Sequence, residues 1–132
     1  SEADVTDVQL ALRSYLVGTA LWALCGARIY AGRDVPPPGY KPGDGPAVCF
    51  KVRGGRIDDS EALIKSSVQF KCYGQDELQA ERVYRTLFDS LHVHGHATIR
   101  WAFLEVLGQP MTEPQTGWFI NLSFFQVWAK RG

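Results

Sequence analysis

The stretch SSVQFKCYGQDELQAERVYRTLFDSL, residues 66–91, constrains the fold more than any other part of the chain. Its first nine residues alternate, with Val68, Phe70 and Cys72 on one side and Gln69, Lys71 and Tyr73 on the other. That is the period-two pattern of a strand with two different faces. The period then changes. Asp76 is an expected helix N-cap with Gln79 at the third helical position. Ala80, Val83, Tyr84, Leu87, Phe88 and Leu91 follow on one stripe, as in a helix lying on a sheet. A strand feeding such a helix requires a layered mixture of the two element types.

The remaining elements are read around this pair. Val5, Val8, Leu12, Tyr15 and Leu16 place an opening helix over residues 5–16, with TDVQ ahead as a capping box. A shorter helix or turn, TALWALC, ends at Gly26, and RIY (28–30) is a brief extended piece. Strands are expected at AVCFKVR (47–53), ATIRWAFLEV (97–106) and WFINLSFFQVWA (118–129), with GQPMTEPQTG as an extended hairpin loop. The fold class is α+β: one domain over residues 1–132, an antiparallel sheet of about four strands, two main helices on one face, and long loops.

Two loops stand out. AGRDVPPPGYKPGDGP (31–46) holds five of the chain's seven prolines and four glycines. Such composition makes neither a helix nor an inner strand, and loops of this length in compact domains commonly bind something. GGRIDDSEAL, carrying Arg56, Asp58, Asp59 and Glu61, is expected as a second exposed loop.

Composition narrows the function classes. Fourteen basic residues balance fourteen acidic ones, against the basic excess of a dedicated nucleic-acid binder. The longest uncharged stretch near the start, Ser14 to Ala27, is 14 residues, short of the roughly 20 that a membrane-spanning helix needs. No secretory leader and no membrane partner are expected. Cys25, Cys49 and Cys72 lie far apart in apolar surroundings and read as reduced, buried thiols.

His92, His94 and His96 are the chain's three histidines. In a straight strand their alternation would converge three imidazoles on one metal ion, the reading of a small metal-dependent enzyme. Gly95 interrupts them at a helix-to-strand junction, and no carboxylate between Asp89 and Glu105 could orient the rings. They are read as a solvated turn, with no metal ligand assigned. No phosphate-loop, dinucleotide or nucleophile-elbow motif is present. No catalytic residue and no cofactor are assigned, and the chain is expected not to be an enzyme. A ligand-binding α+β module is a further class, marked by a deep apolar pocket.

Apolar surface is in excess. Trp118, Phe119, Phe124, Phe125 and Trp128 fall within eleven residues and point to both faces. Trp118, Phe125 and Trp128 are therefore candidates for packing between subunits, where aromatic residues are enriched.

An opening helix, LWALCGARIY, a proline-rich loop running into PAVCFKV, the 66–91 segment and the closing strand FINLSFFQVWA occur here in order. Together they resemble the tail terminator (tail completion, head–tail joining) proteins of long-tailed bacteriophages, over nearly the whole chain. The resemblance implies a virion protein at the head-proximal end of the tail, assembled in the host cytoplasm. It would form a hexameric ring of identical copies that caps the tail tube protein, stops its polymerisation and docks the head–tail connector protein. DNA would pass through without specific binding, in keeping with the lack of basic clusters. Arg33, Tyr40, Arg56, Asp58, Asp59 and Glu61 are candidate pore or partner-contact residues. A neck, head-closure or minor tail protein is the neighbouring alternative.

Overall fold

A computed structural model describes residues 7–58, 63–93 and 98–130, with the backbone alone at 55–58. The elements run α1 (Val8–Leu16), α2 (Ala20–Cys25), β1 (Ile29–Ala31), β2 (Ala47–Asp58), β3 (Leu63–Gly74), α3 (Glu77–Leu91), β4 (Ile99–Thr112) and β5 (Phe119–Lys130). Among the described residues the strands form one sheet in the order β1-β2-β3-β5-β4. The architecture is α+β, as expected, but the sheet has five strands and is mixed. The three-residue β1 pairs parallel to β2, and the other pairings are antiparallel. Three helices are described, α2 being only six residues long.

Local chemistry sets the helix starts. The Asp7 carboxylate accepts from the amides of Gln9 and Leu10 and caps α1. The Asp76 carboxylate accepts from the Gln79 amide at 2.8 Å, and the Gln79 side chain accepts in return from the Gln75 amide at 2.6 Å. At the close of β3, Gly74 lies against the first turn of α3. A Cβ there would meet the backbone of Gln79 and Ala80, so the strand-to-helix corner requires glycine.

The helices share one face of the sheet. Val8, Leu12 and Leu16 from α1, Leu21 and Cys25 from α2, and Val83, Leu87 and Leu91 from α3 form one core with Val48, Phe50, Val68, Phe70, Cys72, Phe125 and Val127. Phe70 stacks on Phe50 and meets Phe125 edge-on, with centroids 5.3 and 5.4 Å apart. Two polar ties fix the layers: Tyr15 donates to the Ser90 carbonyl at 2.8 Å, and Val52 N–H donates to Gln9 Oε1 at 3.1 Å.

Three strands run beyond what the sequence suggests, β3 starting at Leu63 and not Ser66. β2 continues through Asp58, so Arg56 and Asp58 lie within the β2–β3 ladder, opposite Lys65 and Leu63. The expected loop at 108–117 is strand as far as Thr112. Pro110 is tolerated because β4 is an edge strand, and its pairing with β5 shifts register between Val106 and Gln109.

Candidate interaction surface

The second face of the sheet carries the other half of each alternating strand, and different means cover its two ends. Over β1, β2 and β3 the proline-rich segment lies down as a strap. Its start is pinned where the amides of Gly32 and Arg33 both donate to the Phe50 carbonyl. Asp34 then sits between Lys51 and Lys71, at 3.4 and 3.5 Å, and accepts from Gln69 Nε2 at 3.1 Å. Burial alone would raise the Asp34 carboxyl, but the Gln69 hydrogen bond and the two ammonium groups hold it below its ordinary value. Arg33 itself is exposed, its Nε donating to the Val35 carbonyl at 3.0 Å.

Farther along the strap, Tyr40 is buried and donates to the Gly45 carbonyl at 2.6 Å. It packs with Ala47, Cys49, Tyr73 and Ile120 in a second, smaller core. Its ring meets those of Tyr30, Tyr73 and Trp118 edge-on, with centroids 5.7–6.5 Å apart. The sequence marked Tyr40 as a partner-contact residue. Here it is a clamp holding the strap to its own sheet, because its ring fills the gap over β2 and β3.

The turn between β4 and β5 completes this end. Glu113 N–H donates to the Trp118 carbonyl and Gly117 N–H to the Glu113 carbonyl. Glu113 is 4% exposed, and its Oε2 accepts from the Tyr73 hydroxyl at 2.6 Å. Desolvation, with this hydrogen bond and the Glu113 charge adding to it, pushes the Tyr73 phenol up. Between strap and turn is a cleft of about 170 Å³, walled by Pro36, Pro37, Tyr40, Thr116 and Trp118, with Glu113 among its lining residues. No sequence motif pointed to Glu113, a lone carboxylate in a stretch read as a loop.

The far half of the face has no such cover among the described residues. Rows of paired residues run across β3, β5 and β4: Lys65, Trp128 and Trp101; Ser67, Gln126 and Phe103; and, where the strap ends at Asp34, Gln69, Phe124 and Val106. Trp128 is partly buried, with Trp101 at 6.1 Å and the Lys65 ammonium over it at 5.1 Å. Phe103 and Val106 are each 39% exposed and Leu107, beside them in β4, is 72% exposed. This strip of apolar rings on an edge-proximal sheet face has the character of a binding surface.

The candidate residues are therefore divided. Phe125 is fully buried in the helix-side core, so its ring is already covered by its own protomer. The alternation of β5 decides this, since odd-numbered residues face the helices. Trp128 lies on the open half and Trp118 on the strapped half. Arg56 and Asp58 are near the far end of β2, roughly 25–35 Å along the strand from the Tyr40 clamp over Ala47 and Cys49 at about 3.3 Å per residue. Asp59 and Glu61 lie outside the described residues.

His92 ends α3, stacks on Phe88 at 4.5 Å, and its Nδ1 accepts from the Leu104 amide at 2.9 Å. That bond ties the end of α3 to β4. His94 and His96 lie outside the described residues. No group of three or more His, Cys, Asp or Glu side chains that could hold a metal ion forms among the described residues. Cys25, Cys49 and Cys72 are buried and free. Burial pushes the Cys25 and Cys49 thiols up to about 12 and Cys72 well above its usual value. No helix among the described residues is long and apolar enough to cross a membrane.

No protein-family model and no curated protein matches the chain. Among solved structures it is similar to a chain in the virion of a native gene transfer agent particle, with a TM-score of 0.67 and 17% identity. The likeness covers 95% of each chain, so what the two proteins share is the complete fold, end to end.

Proposed function

We propose that this chain is a structural protein of a phage-like virion, and within it a tail terminator. Copies would form a ring, a hexamer by the family resemblance, that caps the finished tail tube and docks the head connector. The observation that carries this reading is the end-to-end fold likeness to a virion chain. The open aromatic half-face supports it, because a ring closes when one patch of each copy meets a different patch of the next.

The polar features fit the same role. Arg33 on the strap and the backbone positions of Arg56 and Asp58 in β2 are separated along the sheet, and Asp59 and Glu61, outside the described residues, stay contact candidates from the resemblance. Two separated contact regions suit a protein held between tube and connector. A chain with balanced charge would let DNA slide past without being held.

The same likeness to a virion chain favours a second reading, a neck, head-closure or minor tail protein. Electron microscopy of particles made without this chain separates them. Overlong tail tubes support termination, and tubes of normal length that fail to join heads support a neck role. Complete, infectious or DNA-delivering particles would overturn both.

A further inference from the structure

We propose that the cleft between the proline strap and the β4–β5 turn receives an arginine side chain of a protein partner. The argument begins with Glu113. Its side chain is almost fully buried, and its one described hydrogen-bond partner is the neutral Tyr73 hydroxyl. Among the described residues it belongs to no ion pair, since the salt bridges found join Asp34 to Lys51 and Lys71, and Glu81 to Arg85. A buried carboxylate is costly unless a cation compensates it. The Tyr73 hydroxyl strengthens its bond to an ionised acceptor but, being neutral, does not balance the charge.

The nearby cations have partners of their own. Lys51 and Lys71 are held by Asp34, Arg28 Nε donates to the Pro46 carbonyl and Arg33 Nε to the Val35 carbonyl. No cation among the described residues pairs with Glu113, and the cleft beside it has room for one from a partner. Pro36 and Pro37 give stiff walls, while the Tyr40 and Trp118 rings offer aromatic surface to a cation. A guanidinium is flat, weakly hydrated and able to bond a carboxylate through two N–H groups, whereas a lysine ammonium is compact and strongly hydrated. Arginine fits better. The inference needs only a protein partner and stands apart from the virion reading.

The test is a titration of the full chain with N-acetyl-arginine methylamide, followed at the Trp118 indole N–H, which a Trp118→Phe variant assigns. The citrulline analogue has the same shape without charge, and the lysine analogue has charge without the plane. The arginine compound should bind at least about tenfold more tightly than either, the range between exposed and desolvated ion pairs. In Glu113→Gln its affinity should fall to the citrulline level. No response at Trp118, equal affinity for arginine and citrulline or for arginine and lysine, or unchanged binding by Glu113→Gln would each overturn the proposal. Should Glu113→Gln unfold, the three-compound comparison on the unaltered chain still decides it.

Discussion

Phe125 and Trp128 are three positions apart on β5 and equally aromatic, yet they face opposite ways, so truncating each should have very different costs. Phe125 is fully buried, paired with Val68 and Leu104 and edge-on to Phe70. Its replacement by alanine removes a core ring and leaves a cavity, at about 3–5 kcal/mol. Trp128 loses a tilted contact with Trp101 and the Lys65 ammonium over its face, together about 1–2 kcal/mol. A domain of this size has about 5–15 kcal/mol in all. With a urea slope of about 1.5 kcal/mol per molar, the midpoint should fall by roughly 2–3 M for Phe125→Ala and by about 1 M for Trp128→Ala. Urea melts followed by circular dichroism read both. Equal shifts, or a larger one for Trp128→Ala, would refute the assignment of the two faces.

Gly74→Ala should destabilise by about 1–3 kcal/mol, because the new methyl falls on the backbone of Gln79 and Ala80, which has little room to move. A thermal melt lower by about 4–10 °C is expected; an unchanged one would mean the corner has slack. The three thiols should be inert to a disulfide exchange reagent in the native protein and all react after denaturation. A native thiol that reacts at once would contradict the burial.

The elements that were legible in the sequence are those whose signal is local. Asp76 and Gln79 announced α3, and Val68, Phe70 and Cys72 did turn toward the helices. What escaped depends on distant parts of the chain. Residues 28–30 do read as a brief extended piece, but their place in the sheet follows only from Val48 to Phe50 lying alongside. Pro110 and Gly108 argued for a loop, yet an edge strand accommodates them. Tyr40 reads in sequence as a contact residue of a long loop, and only the sheet beneath shows that the loop is a strap. Phe125 and Trp128 could not be told apart by composition, although their odd and even positions held the answer. Glu113 had no signal at all, because its burial is created by Tyr73, forty positions away.

Cryo-electron microscopy of the assembled particle tests most directly whether one copy covers the apolar half-face of the next. The account expects a closed ring of copies at the head-proximal end of the tail, with Trp101, Phe124 and Trp128 of each packed against its neighbour. A map in which that face looks onto solvent, or in which the chain sits as isolated copies, would contradict it.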